Sequence, residues 1–327
     1  MFQNKIKICL IQIVIAIFFI TSCSDDCNAP KNEELIDSFN AHLQIVKTVT
    51  NTIDDGLEYI FNSENYSSIN KAQFIRDYLE KIRFFSDNSG YLYCYDTTMT
   101  NIALPILKSY IGTNHLNDQD ANGKYFAYEM RDSLRKSGQG VISHYWVNPS
   151  SGANEEKIAY IRLISNTEYF VGTGFFKSFL NGWSITKLGL EKEITRNAVQ
   201  ATALGLSYLF QTNNFTKDEQ IEFMKTYMDS LRFYNDKSGY FFVDDTNHFS
   251  IVFPTSKQYE GTSLVDYKDT KGNYPVRQMV EIIKKNGSGN TEYYYINPKN
   301  GIEQKKLVFV EKISGTEFFI GAGVYLE

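Results

Sequence analysis

Two stretches of this chain align with each other without a gap. Gly90 matches Gly239, Pro105 matches Pro254, Gly123 matches Gly272, Asn148-Pro149 matches Asn297-Pro298, and Gly172-x-Gly174 matches Gly321-x-Gly323, all at one offset of 149 residues. About a third of the aligned positions between Phe84 and Phe176 are identical, far above chance at a fixed period. The register extends upstream, where Gly56-Leu57, Tyr59 and Phe61 pair with Gly205-Leu206, Tyr208 and Phe210. The chain is therefore one domain duplicated in tandem, and a residue kept in one copy and lost in the other can be weighed inside a single sequence. With 327 residues and 43% hydrophobic content, it can bury two ordinary cores.

The net charge of −5 is dispersed over both signs, and no basic stripe appears, which argues against a nucleic-acid partner. The 23 Tyr and 24 Phe favour sheet content and suit recognition surfaces.

The N-terminus reads as a targeting segment. Lys5 and Lys7 precede an apolar run, Ile8 to Ile20, that is too short for a membrane span and suits a signal-peptide core. The run closes on Ile20-Thr21-Ser22-Cys23, which resembles a bacterial lipobox. That resemblance implies a signal peptide over residues 1–22, diacylation of Cys23, a tether over residues 23–32 and a lipid-anchored, extracytoplasmic place in the bacterial cell envelope. A plain signal peptide or an uncleaved anchor is the alternative. Ser24-Asp25-Asp26 resembles the surface-export signals of some Gram-negative lipoproteins; a periplasm-facing site is the other orientation. Cys27 and Cys94 are the cysteines left over, and no disulfide between them is expected; Cys94, which is Val243 in the other copy, reads as a small core residue.

Each repeat opens with a long amphipathic helix. Leu35, Phe39, Leu43, Val46, Val49, Ile53, Leu57 and Ile60 recur at helical spacing, as do Leu190, Ile194, Ala198, Ala201, Leu204 and Leu209. A shorter helix is expected over 70–83, and its second copy carries the capping box Thr216-x-x-Glu219. The pattern then turns to period two. Tyr91–Tyr95 reads as a strand, a second short strand ends at Pro105, and Lys124–Lys136 reads as a helix closed by Gly138. Val141–Val147, Lys157–Ile164 and Tyr169–Phe176 complete the domain as three antiparallel strands. This order predicts an α+β fold with one antiparallel sheet per repeat, over residues 33–178 and 183–327.

In combination, these features resemble tandem Cache domains, extracytoplasmic relatives of PAS domains. The matching residues are Ser-Gly-Tyr before the first strand, the Pro closing the second, Gly-Thr before the loop, Asp-x-x-Gly-x-Tyr opening the helix, Asn-Pro-x-x-Gly at the hairpin, Lys157 or Lys306 on the next strand, and the final Gly-x-Gly strand. The resemblance implies a central antiparallel sheet with the long helix on one side and a small-molecule pocket on the other, for ligands such as small carboxylates and amino acids. It departs from the family where the usual His before the Pro is Leu104 and Phe253, and where the turn after the first strand lacks its Gly. Family members often belong to receptors or kinases. No output module of the chain's own is expected, and a separate membrane receptor or kinase is the expected partner.

The candidate ligand-binding residues follow from strand alternation and from that resemblance. Tyr91, Tyr93 and Tyr95 share one face, as do His144 and Trp146; their counterparts are Tyr240, Phe242 and Asp244, and Tyr293 and Tyr295. Lys157 and Lys306 hold one place in both copies and could pair with a carboxylate; the alternative is a solvated strand end or a bridge to Glu155 or Glu303. Arg277, opposite Tyr128, could clamp a carboxylate or lie exposed on its helix. Asp244 favours an amine or hydroxyl where Tyr95 does not, so the two pockets are not equivalent. Tyr145 and Tyr294, on the other face, are expected to serve the fold.

Other motifs carry less. Asp118-x-Asp120-x-Asn122-Gly123-x5-Glu129 fits a calcium loop, yet the second copy loses three of its ligand positions, which favours a turn capping a helix. The two Gly-x-Gly pairs lie within strands and are expected to let the last strand pack closely on the long helix. The four His are scattered, no Cys/His cluster has metal spacing, and no acid pair or nucleophile set recurs. No cofactor, metal or enzymatic activity is expected. The reading is a lipid-anchored small-molecule binding protein; a cell-surface scaffold for a protein partner is the alternative, and an exposed apolar patch on the long helices would favour it.

Overall fold

The computed structural model describes residues 35–180, 182, 184–234 and 236–326. The leader, the tether, Cys23 and Cys27 lie outside the described residues.

The first repeat comprises β1 (Leu35–Asp37), α1 (Ser38–Asn62), α2 (Lys71–Leu79), β2 (Tyr93–Asp96), β3 (Asn101–Ala103), α3 (Phe126–Ser137), β4 (Gln139–Val147), β5 (Asn154–Leu163) and β6 (Tyr169–Phe176). The second repeats the order as β7 (Ser184–Thr186), α4 (Lys187–Thr212), α5 (Lys217–Met228), β8 (Phe242–Asp245), β9 (Ser250–Val252), α6 (Pro275–Asn286), β10 (Ser288–Ile296), β11 (Glu303–Lys312) and β12 (Phe318–Tyr325). Each sheet is antiparallel with five strands, ordered β3-β2-β6-β5-β4 and β9-β8-β12-β11-β10. This is a PAS-like α+β architecture.

Local signals set the helix ends. Asp37 caps α1 through the Asn40 amide, Thr216 and Glu219 form the capping box of α5, and Gly138 and Gly287 close α3 and α6 in the left-handed conformation. Three ends differ from the sequence expectation. Helix α1 starts at Ser38, so Leu35 is not on its apolar stripe but lies exposed in β1, paired with Thr186. Helix α2 stops at Leu79, because the chain turns to bring Phe84 into a bridge with Gly90. Helix α3 starts at Phe126, because the backbone of Lys124 is held by Asp120: the Asp120 amide donates to the Lys124 carbonyl, and the Lys124 amide donates to Asp120 Oδ1.

The same Asp explains the calcium-like loop. Asp120 Oδ1 also accepts from the Asn122 amide, and Oδ2 accepts from the Tyr145 amide at 2.9 Å. Asp269 makes the matching bonds to Lys271, Asn273 and Tyr294. Both carboxylates latch the loop to the edge strand, which is why the position survives in both copies while the other calcium ligands do not.

The core is arranged differently from two separate ones. The helix-facing sides of both sheets and the apolar stripes of α1, α2, α4 and α5 merge into a single central cluster. Each repeat keeps a second, smaller cluster on the far face of its sheet, under α3 or α6. The central contact is nearly symmetric. Ile36 of β1 pairs with Ile185 of β7, its own counterpart. Tyr78 donates to Tyr227, also its counterpart, at 2.8 Å, with both rings buried. Two elements meeting their own copies define a pseudo-twofold axis, the internal equivalent of an isologous dimer interface.

Candidate functional site

The far face of each sheet carries the candidate site. Alternation along β2 turns Tyr91, Tyr93 and Tyr95 to that face, and alternation along β4 brings His144 and Trp146 there. Gly172 lies directly across from Tyr93; a Cβ there would stand 2.6 Å from the Tyr93 ring. Gly172 therefore clears the sheet surface for Tyr93. The last strand does pack on the long helix, through Val171 and Phe175, but the expectation that the glycines allow it is corrected: both lie on the opposite face, where a Cβ on Gly174 would stand 2.3 Å from the Ile158 carbonyl oxygen.

In the first domain, Tyr91, Tyr93, Tyr95, Leu104, Phe126, Met130, His144, Trp146 and Lys157 surround a cavity. Its free space is about 20 Å³, room for one or two waters. Lys157 is only 1% exposed. Its Nζ donates to Tyr91 Oη at 2.8 Å and lies 3.9 Å from the centroid of that ring. Among the described residues no carboxylate pairs with it: Glu155 is taken up by Asn148, Ser151 and Ser178, and Glu156 by Ser143 and Lys177. Burial pushes the Lys157 ammonium down to about 7. Burial, reinforced by Lys157, also lowers His144 to about 3, so this ring is neutral, stacked 4.7 Å from Phe126. Tyr93 Oη and His144 Nδ1 are buried without a hydrogen-bond partner. A buried ammonium beside two unsatisfied polar atoms is a costly arrangement in a dry site, and an anionic ligand would relieve it.

The second cavity is lined by Phe242, Asp244, Phe253, Tyr259, Leu264, Tyr267, Pro275, Val276, Met279, Tyr293 and Tyr295, with about 30 Å³ free. Asp244 is 3% exposed, its Oδ1 has no hydrogen-bond partner, and burial raises its carboxyl to about 7. Lys306 is buried like Lys157 and donates to Tyr240 Oη at 2.9 Å, but neither Lys306 nor Tyr240 lines this cavity. The hydroxyls of Tyr295 and Ser256 meet at 2.7 Å, a contact that Trp146 and Leu107 cannot make in the first domain.

A profile of the Cache domain family matches residues 25–181 and again 186–327. The chain belongs to the Cache domain family. Cache domains are extracytoplasmic small-molecule sensing domains. A sensor histidine kinase, MctS of Rhizobium johnstonii, is 32% identical over 91 residues, which span 28% of this chain and 20% of the kinase. Among solved structures, a Cache chemosensory domain described for carboxylic acid recognition is 26% identical, covering 42% of this chain and 94% of its own, with a TM-score of 0.38. The periplasmic sensor domain of a chemotaxis protein is also 26% identical, over 40% of this chain and 92% of its own, with a TM-score of 0.37. Among the described residues, no helix is long and apolar enough to cross a membrane.

The first Cache domain brings all six of its sequence-derived candidates to one cavity. In the second, Phe242, Asp244, Tyr293 and Tyr295 line the cavity; Tyr240 and Lys306 sit just behind that wall, Lys306 paired in register with Tyr293 and its Nζ 5.8 Å from the Tyr295 ring centroid, and Arg277 is turned elsewhere. Arg277 points away from the cavity: its Nε donates to the Val265 carbonyl and its Nη2 to Asp266, both at 2.6 Å. Solvated-end and Glu-bridge readings of the two lysines are corrected as well, since both are buried on phenols. Leu104 and Phe253, named from the sequence only as replacements of the family's usual His, line the two cavities; Phe126 and Met130 of α3, and Tyr259, Tyr267 and Met279, were not singled out. The available signal was Phe126 and Met130 at i and i+4 on the helix that covers the sheet.

Proposed function

We propose that this protein is a lipid-anchored sensor of the bacterial cell envelope, held by Cys23, whose first Cache domain binds a small carboxylate. The carrying observation is Lys157, a buried ammonium without a counter-ion, facing the cavity beside the unpartnered Tyr93 Oη and His144 Nδ1. One carboxylate oxygen would take Lys157 and the other the Tyr93 hydroxyl, in a charge-assisted bond shielded from water. The small free volume requires a compact acid and some yielding of Met130, an unbranched, adaptable side chain. The likeness to a sensor histidine kinase supports a separate membrane kinase or receptor as the reader of the bound state. The scaffold reading called for an apolar patch on the long helices; these bury their apolar stripes in the central core, with Phe39 the single exposed ring among the described residues of the two helices, which is not a contiguous patch.

The test is calorimetric titration of the protein with acetate, propionate and pyruvate, with methylammonium as the charge-reversed control. Its pH dependence has a definite sign. Lys157 is half-neutral near pH 7 when the site is empty, and a bound carboxylate raises its pKa, so binding takes up a proton above pH 7. Affinity should be flat from pH 6 to 7 and then fall, by up to about tenfold per pH unit. His144 and the tyrosines of the cavity keep their neutral forms throughout this range. Affinity that rises from pH 7 to 9 would exclude the assignment of Lys157.

A further inference from the structure

We infer that the second Cache domain is a site for a compact organic ammonium ion, so that the two domains of one chain take ligands of opposite charge. The inference rests on the reading that the far sheet faces are ligand cavities and adds the chemistry of the second one.

Three observations carry it. Among the described residues, Asp244 is the one charged residue lining this cavity; Lys306 lies behind the Tyr295 ring rather than on the wall. Its carboxyl is more than nine-tenths buried with Oδ1 unpartnered, and the Ser250 side chain, opposite it across the strand pair, offsets only part of that burial. The rest of the wall is aromatic: Phe242, Phe253, Tyr259, Tyr267, Tyr293 and Tyr295. These rings stand against each other at 5.7–6.1 Å between centroids along Phe253–Tyr295, Tyr293–Tyr295, Tyr259–Tyr267 and Phe253–Tyr259.

Aromatic faces attract cations through their quadrupoles, and the attraction strengthens when water is excluded. A single buried carboxylate amid such rings is the complement of an alkylammonium: the N–H or N–CH₃ face meets the rings and the charge meets Asp244. The first domain lacks this arrangement, since Tyr95 stands where Asp244 does and stacks 5.9 Å from Phe170. There the charged wall residue is Lys157. The cation of the second domain, Lys306, is engaged by Tyr240 and stands behind the wall, 5.8 Å from the centroid of the Tyr295 ring, which leaves the faces of Phe242, Phe253, Tyr259 and Tyr267 without a resident ammonium. With about 30 Å³ free, the ligand is a primary or methylated amine of few carbons.

The experiment titrates the whole protein with methylammonium and trimethylammonium chloride at pH 7.5, against sodium chloride and the neutral mimic tert-butanol. Saturation-transfer NMR on the N-methyl signals gives a second readout that needs no variant. Stabilisation and saturation transfer by the ammonium ions are expected, neither is expected from tert-butanol, and Asp244→Asn should weaken binding at least tenfold. Lys157→Met should leave the ammonium response intact while removing the acetate response, which separates failure of this inference from failure of the carboxylate reading. An Asp244→Asn variant that binds ammonium ions as the parent does, or a parent showing no saturation transfer, overturns the proposal.

Discussion

Replacing Lys157 by methionine is expected to make the protein more stable while abolishing carboxylate binding. The unfolded chain carries lysine with an ordinary pKa near 10.5, and burial lowers it to about 7 in the folded state. A base whose pKa falls on folding costs stability that accumulates as pH drops from the unfolded value to the folded one, and stays constant below it. At about 1.4 kcal/mol per pH unit the ceiling is about 4–5 kcal/mol. Methionine has a similar length and fills the same slot beside Tyr91 and Phe176. It leaves the Tyr91 hydroxyl without its donor, which returns about 1–3 kcal/mol. A net gain of about 1–3 kcal/mol at pH 7 follows from these opposing effects. Urea denaturation at pH 6.5 and pH 10 checks it: at the higher pH the cost of burying the ammonium falls to about 1 kcal/mol, and the lost Tyr91 bond turns the gain into parity or a loss of up to about 2 kcal/mol. A variant less stable at pH 6.5 would mean that the lysine is there for the fold. Retention of such a residue against stability is what a binding site demands, since the ammonium is poised for a partner the protein does not itself supply.

Much of the fold was legible because its signals are local. Tyr91–Tyr95 and Val141–Val147 alternate, Asn148-Pro-Ser-Ser-Gly152 makes the hairpin, and Gly138 stops its helix; each depends on neighbours within a few residues. The duplication then checked each element against its copy. What stayed hidden was long-range. The stripe Val46, Val49, Ile53, Leu57 announces a buried helix face, but nothing in it says that the face meets the other repeat. The polarity of Lys157 argued for water at a strand end, whereas the sheet register places it opposite Phe176 and His144 and under Tyr91. Arg277 looked available because its partners, the Val265 carbonyl and Asp266, lie in a loop whose path no periodicity reveals. The Asp244 and Tyr95 contrast was readable, since two aligned copies differ there by a charge; that Lys306 would sit behind the second cavity wall while Lys157 lines the first was not.

The pseudo-twofold interface gives the other large effect: Gly56→Ala should destabilise the protein by about 2–4 kcal/mol, as overpacking does in a core that cannot relax. In an exposed helix the same change would stabilise by about 1 kcal/mol, so the sign itself is informative. A Cβ on Gly56 would stand 2.1 Å from Tyr227 Cζ and 2.6 Å from its hydroxyl oxygen. Tyr227 has nowhere to go: it is fully buried, bonded to Tyr78, and packed against Phe223. The counterpart, Gly205, faces Tyr78 at 2.8 Å, so Gly205→Ala should destabilise in the same direction and by less. Truncating the obstructing ring with Tyr227→Leu removes the clash, and a double-mutant cycle of Gly56→Ala with Tyr227→Leu should return a favourable coupling of about 1–3 kcal/mol. Guanidinium denaturation of the four proteins measures it. Because both ligand cavities lie on the far faces of the sheets, the ammonium and carboxylate affinities of the folded Gly56→Ala protein should match the parent's. If they shift together instead, the shared helical core couples the two sites, and the axis through Tyr78 and Tyr227 is where that coupling passes.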